Sequence, residues 1–357
     1  MLIQKEIVLP EIHSQLPFDA SLFFDIETTG LAWQHSHIYL IGAAYCQDQK
    51  WLLRQWFLQK PSEEKELLQE FAVFLTGFEQ IIHYNGNSFD LPYLAHKFAF
   101  YQLPNPLSAL KSTDLYGLLR PFSAHLGLDS LKLQEVEAKL EIKRQDHHSG
   151  KELIACYKNY LQTGSQELLQ ELLDHNLEDV WGLLPLYGIT AYHSLRKGEF
   201  TLASCLLREG RLILQLDLIS PLPYPLHIRQ DSSCLDAADS QARLIVQGTK
   251  GCMKHYFSNY KDYYYLPLED QVVHKSIGIF VDAAHRRKAR PFECCQKMTG
   301  LFFYQPQIRF QPAFYSDYHG KKAYFLPDDK WPPNPKLLKS YACDLLEELI
   351  LASSKNK

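Results

Sequence analysis

Over the first half of the chain, short apolar runs alternate with amphipathic stretches. Leu22 to Ile26 is a compact apolar run, and His37 to Cys46 and Trp51 to Leu58 are rich in aromatic and aliphatic side chains. Only four residues separate the last two, so the pattern predicts three strands with a hairpin between the second and third. Pro61-Ser62-Glu63-Glu64 then opens a segment with apolar positions at 67, 68, 71, 74 and 75, which is helical spacing with a proline and acids in the first turn. Gln80 to Tyr84 reads as a further strand and Leu91 to Phe100 as an amphipathic helix. Beyond Leu115 the period is 3.6 residues over 115–120, 130–140, 150–162 and 166–192. Three strands, a helix, a strand and then helices predict an α/β fold with a mixed sheet flanked by helices.

The texture changes around Arg196-Lys197-Gly198-Glu199, and Pro221, Pro223 and Pro225 punctuate the segment beyond it. Strands are expected at Arg211 to Leu218, Ala242 to Gln247, Tyr263 to Leu266, Ile277 to Val281 and Leu301 to Tyr304. Pro332-Pro333-Asn334-Pro335 closes that run, and 336–353 reads as one last helix. The expected organisation is therefore an α/β domain over 18–195 and a strand-rich α+β region over 196–357.

Composition narrows the class. With 357 residues, 46% of them hydrophobic, the chain can bury a substantial core, and no low-complexity tract argues for disorder. It has no apolar run of transmembrane length and no signal-peptide pattern at its start, so a cytoplasmic protein without membrane association is expected. The eight cysteines include no Cys-x-x-Cys pair, which favours reduced thiols; Cys294-Cys295 is read as two core thiols. The net charge of −4 conceals an asymmetry: residues 1–195 carry 14 basic and 24 acidic side chains, whereas 196–322 carry 18 and 12. The whole-chain balance therefore says little about an anionic partner.

Three short segments carry candidate chemistry. Asp25-Ile26-Glu27-Thr28-Thr29-Gly30 ends the first strand, where side chains two apart share a face and present two hard oxygen ligands to one point. Taken alone, such a pair is more often a polar strand edge or a turn cap. In His83-Tyr84-Asn85-Gly86-Asn87-Ser88-Phe89-Asp90 a strand runs into a Gly-Asn turn and an acid at a helix start, where a carboxylate also serves simply to complement the helix dipole. Within the long helix, His175 and Asp179 lie one turn apart on one face; on their own they would pass for a surface pair.

Together these segments resemble the three exonuclease motifs of the DnaQ-like DEDD superfamily, a ribonuclease H-like fold, in both order and spacing. The four acids of that pattern are Asp25, Glu27, Asp90 and Asp179. More narrowly, Ser149-Gly150-Lys151-Glu152-Leu153-Ile154 through Tyr157 and Tyr160, followed by His175-Asn176 to Asp179-Val180, is similar to the YprB-type ribonuclease H-like exonucleases. The resemblance spans roughly residues 18–190. One departure is that a histidine stands at the spacing of the tyrosine subtype, four residues before the last Asp, rather than five before it.

The resemblance implies a metal-dependent 3′-to-5′ exonuclease, a hydrolase acting on single-stranded nucleic-acid ends. It implies two divalent ions, Mg²⁺ or Mn²⁺, held by Asp25, Glu27, Asp90 and Asp179, with Asp25 bridging the two ions and His175 as general base. For His175 the alternative is a helix-surface histidine. Thr28, Thr29 and Leu31 would lie beside the terminal sugar, and Asn85 and Phe89 would touch the terminal nucleotide. DNA is favoured over RNA, in a repair setting; the rival readings are an RNA-processing exoribonuclease and a non-catalytic nucleic-acid-binding or scaffolding module. In the C-terminal region, His285-Arg286-Arg287-Lys288-Ala289-Arg290 is either a phosphate contact or a solvated loop, and Tyr263-Tyr264-Tyr265 is expected to be core.

Overall fold

The computed structural model describes residues 2–9, 20–145, 150–329 and 331–352. Positions 18, 149 and 353, expected to be a domain start, part of a motif and a helix end, lie outside the described residues. The described chain divides into two compact units, Met1–His193 with Leu222–Tyr224, and Ser194–Pro221 with Pro225–Lys357.

The first unit is built on a six-stranded mixed sheet. Its strands are β1 (Leu2–Val8), β2 (Ser21–Thr28), β3 (Ile38–Gln47), β4 (Lys50–Leu58), β5 (Gln80–His83) and β6 (Lys111–Asp114), in the spatial order β1-β4-β3-β2-β5-β6. β2 pairs antiparallel with β3 and parallel with β5, so it is a central strand. Phe24 meets Phe71 on one face and Phe23 meets Trp51 and Tyr187 on the other. A strand covered on both faces needs a nearly unbroken apolar run, which is what Leu22 to Ile26 supplies around Asp25.

The helices are α1 (Glu64–Leu75), α2 (Asp90–Phe100), α3 (Leu115–Leu119), α4 (Leu133–Lys139), α5 (Gly150–Thr163), α6 (Gln166–Leu186) and α7 (Thr190–Arg196). The helix expected over 166–192 breaks after Leu186 into a 3₁₀ turn and resumes as α7. The main core lies between the sheet and α1, α2, α5 and α6, with Tyr39, Trp56, Phe57, Phe71, Phe98 and Tyr157 fully or almost fully buried.

The second unit carries the strands β7 (Phe200–Arg208), β8 (Arg211–Gln230), β9 (Ser233–Gln247), β10 (Thr249–Tyr256), β11 (Tyr263–Leu266), β12 (Gln271–His274), β13 (Arg287–Lys288), β14 (Cys295–Gln305) and β15 (Ala323–Phe325). They form three small sheets, β7-β8-β9, β10-β14-β15 and β12-β11-β13, joined by the short helix α8 (Lys275–Gly278) and the long α9 (Pro335–Ala352). β8 runs through Pro221, Pro223 and Pro225 because these lie beyond Leu218, the last β8 residue paired with β7 (opposite Phe200), where a missing N–H costs no bond to that strand. The strand expected at Ile277 to Val281 does not form: α8 and a turn occupy it, started by the His274 side chain accepting from the Ser276 amide. Tyr263, Tyr264 and Tyr265 are half-buried rather than core, and the guanidinium groups of Arg286 and Arg287 lie 4.9 and 4.5 Å from the ring centres of Tyr264 and Tyr265. Arg287 also pairs with both carboxylate oxygens of Glu293, so part of the basic run is spent inside the unit.

Candidate active site

The sheet itself positions the first two acids. Asp25, Gly42 and Gln55 stand opposite one another across β2, β3 and β4. Helix α6 seats on this row: Gln55 Nε2 donates to the Leu173 carbonyl at 2.8 Å and to Asn176 Oδ1 at 3.0 Å. The fit requires Gly42, since a Cβ there would lie 2.0 Å from Asn176 Oδ1. The docking carries His175 and Asp179 over the end of β2. A register shift between Glu27 and Thr28 ends the regular ladder there, a local irregularity that re-aims the last side chains of a strand.

His175 Nε2 lies 3.3 Å from Glu27 Oε1 and 3.2 Å from Asp179 Oδ2. One ligand atom from each of Glu27, His175 and Asp179 falls within 4.8 Å of the others, a spacing that a single ion spans. The tight triple includes neither Asp25 nor Asp90, yet both belong to the same electrostatic cluster. Burial drives the Asp25 carboxyl well above the usual range, and Asp90, Asp179 and Glu27 push it further the same way while His175 opposes them. Asp90 opens α2 and is pushed up to about 7 by burial, partly offset by its own amide and that of Ile26, which places its carboxylate against β2. Glu27 is likewise raised by burial, with His175 pulling it down. Burial alone would lower His175, but its hydrogen bonds to Asp179 and Glu27 outweigh that and push it up to about 11.

Four carboxylates crowded this closely repel one another, and hard oxygen donors in such a set suit a divalent cation. The residues present therefore fit the metal that the motif implies.

The turn before Asp90 is held by side chains that motif spacing does not reveal. Asp114, at the end of β6, accepts from the amides of Asn85, Asn87 and Tyr116 at 2.8, 3.3 and 3.1 Å. Asn85 has φ of +62°, and Gly86 lets its own amide reach His83 Nδ1 at 3.1 Å where a Cβ would lie 2.6 Å from that nitrogen. A second brace is the buried Glu64: it accepts from the Ile38 amide at 2.8 Å, Lys97 Nζ at 2.9 Å and the Tyr101 hydroxyl at 2.9 Å. Lys97 also reaches the Ser36 carbonyl, so α1 and α2 together fix the loop that leaves β2.

The expected substrate contacts are distributed unevenly. Thr28 Oγ1 donates to the Gly30 carbonyl and Thr29 Oγ1 accepts from the His37 amide, so both hydroxyls shape the turn. Phe89 packs on the core beside Tyr93, whereas Leu31 is 85% exposed.

Two further charged residues at the site went unnoticed in the sequence. Arg144 Nη2 lies 2.5 Å from Asp179 Oδ1, and Arg144 Nη1 lies 3.2 Å from Glu137 Oε2. Glu137 is buried against Gly182 of α6, where a Cβ would lie 2.1 Å from its Oε1. Neither has a periodic or motif signature; only the glycine one turn after Glu178 hints that something approaches α6 closely.

The match to a protein-family model agrees with this architecture. Residues 22–191 match the family model of the RNase_H superfamily. The fold over these residues is ribonuclease H-like, a mixed sheet flanked by helices. The uncharacterized protein YprB of Bacillus subtilis (strain 168) is 31% identical over 169 residues, which are 46% of this chain and 40% of that protein, so the match spans less than half of either. Among solved structures, the family B DNA polymerase of the archaeon Pyrobaculum calidifontis is 16% identical over 49% of this chain and 26% of its own, with a TM-score of 0.39. A product-bound exonuclease I is 10% identical over 79% of this chain and 65% of its own, with a TM-score of 0.34. No helix among the described residues of the ribonuclease H-like domain or the second unit is long and apolar enough to cross a membrane.

Proposed function

We propose that the ribonuclease H-like domain is a metal-dependent 3′-to-5′ exonuclease acting on single-stranded nucleic-acid ends, with DNA as the preferred substrate and repair as the setting. The observation that carries this reading is the convergence of four acids from three separate elements, β2, α2 and α6, so that Asp25 feels Asp90, Asp179 and Glu27 at once. Asp25, Glu27, Asp90 and Asp179 would hold two Mg²⁺ or Mn²⁺ ions, which when bound stabilise charge on the attacking and leaving oxygens of a phosphodiester.

The chain's own groups have definable parts. Between Glu27 and Asp179, His175 holds its proton firmly, so as it stands it is a cation that keeps two acids together. To act as a general base it would first have to give up that proton, which its two carboxylate partners oppose. The exposed Leu31 offers an apolar surface for the terminal sugar, and the turn containing Asn85 borders the same end of the sheet. All four acids are present, which speaks against a purely scaffolding module on this fold.

A 5′-labelled single-stranded DNA oligonucleotide incubated with the protein and Mn²⁺ tests the reading. It should shorten stepwise from its 3′ end, and more slowly as RNA. A strand left intact in both Mn²⁺ and Mg²⁺ would refute it.

A further inference from the structure

We infer that Arg144 is an internal counter-ion that competes with the divalent cation for Asp179 and so sets the metal affinity of the site. The inference rests on the metal-site reading above and adds to it a residue outside the four acids and the histidine.

Both oxygens of Asp179 already face a nitrogen of another side chain. Oδ2 lies 3.2 Å from His175 Nε2 and Oδ1 lies 2.5 Å from Arg144 Nη2. A metal ion that takes Asp179 must therefore share it with these nitrogens or draw it away from one of them. His175 sits one turn away on the same helix and is also tied to Glu27, whereas Arg144 comes from the irregular segment after α4. The guanidinium is therefore the more easily displaced partner.

Displacement would not strand it. Its side chain is 8% exposed, and a buried charge left without a partner is strongly destabilising. Two other carboxylates stand ready: Glu137 Oε2 at 3.2 Å from Nη1 and Glu178 Oε2 at 3.9 Å from Nε. The Gly182 gap admits Glu137 to this position, so the second anchor is built into the packing of α4 on α6. Arg144 can thus release Asp179 and remain paired, and the exchange becomes a competition with a definite effect on affinity. When the binding-competent form is only a fraction of the population, the apparent dissociation constant rises by the inverse of that fraction. A pair formed about nine-tenths of the time would weaken metal binding about tenfold.

The test is Mn²⁺ binding to the full chain, followed by the electron paramagnetic resonance signal of free Mn²⁺ without nucleic acid. Arg144→Gln should bind Mn²⁺ about tenfold more tightly than the wild type, and Arg144→Lys should fall between them. Glu137→Gln should shift affinity the opposite way, because Arg144 then commits more fully to Asp179. Equal affinity in the wild type and Arg144→Gln overturns the competition. So does weaker binding by Arg144→Gln, the result expected of a residue that merely builds the site. If Arg144→Gln fails to fold, Glu137→Gln decides: weaker binding supports the competition, and unchanged or tighter binding overturns it. A wild type that binds no Mn²⁺, or an Asp25→Asn that binds as well as the wild type, instead removes the metal-site reading and this inference with it.

Discussion

Asn176 on α6 packs directly onto Gly42 on β3, and Gly42 is the ladder partner of Asp25. One contact therefore sets the distance between the helix bearing His175 and Asp179 and the strand bearing Asp25 and Glu27. Gly42→Ala would place a methyl carbon 2.0 Å from Asn176 Oδ1, so the helix must retreat. Overpacking of this kind costs about 1–3 kcal/mol. Urea denaturation should show a loss in that range, and nuclease activity should fall at least tenfold under conditions where the variant is still folded.

Lys97 and Glu64 form a buried ion pair at 2.9 Å beneath the loop that leaves β2. Lys97→Met leaves the Glu64 carboxylate buried without its ammonium partner and should cost about 3–5 kcal/mol in chemical denaturation. The double variant Glu64→Gln with Lys97→Met should recover a substantial part of that loss, since removing both charges spares the uncompensated one. A double variant less stable than Lys97→Met would contradict the account.

His83 is buried, accepts the Gly86 amide at Nδ1, and so carries its proton on Nε2, which donates to Ser112 Oγ at 2.8 Å. Burial lowers its pKa to about 4, with Asp114 acting against that shift. Above the ordinary histidine range both folded and unfolded forms are neutral, and the group contributes nothing to pH dependence. Between about 6.5 and about 4 the unfolded chain takes up a proton that the folded one refuses, so stability must decline as pH falls through that window. Denaturation midpoints measured from pH 7 to pH 4.5 should fall less steeply for His83→Gln than for the wild type.

The sequence discloses those parts of the fold whose side chains repeat with a period. β2, β3, β4, α1 and α2 all lie within a residue or three of the patterns that announce them. β1 has no such signature because Lys5 and Glu6 interrupt its apolar positions, and β6 has none because Lys111-Ser112-Thr113-Asp114 contains no apolar residue at all; each is an edge strand held by backbone pairing. Ile277 to Val281 misleads in the other direction: a five-residue apolar run fits a strand or a helical turn equally, and here Ile277, Ile279 and Phe280 are exposed. In the proposed site, Asp25, Glu27, Asp90, His175 and Asp179 can be picked out from the sequence because motif spacing ties them to strand ends and one helix face. Arg144 is not, since its pairing with Asp179 depends on α4 packing against α6 from a distant part of the sequence.

The central claim is that Asp25 and its three acidic neighbours form a metal site that cleaves nucleic acid from an end. Its most direct test is digestion of a 5′-labelled single-stranded oligonucleotide in Mn²⁺ by the wild type and by Asp25→Asn, with both proteins shown to be folded. The account predicts a ladder shortening from the 3′ end for the wild type and at least a thousandfold slower digestion, about 4 kcal/mol of lost transition-state stabilisation, for Asp25→Asn. Digestion by Asp25→Asn at the wild-type rate would contradict it.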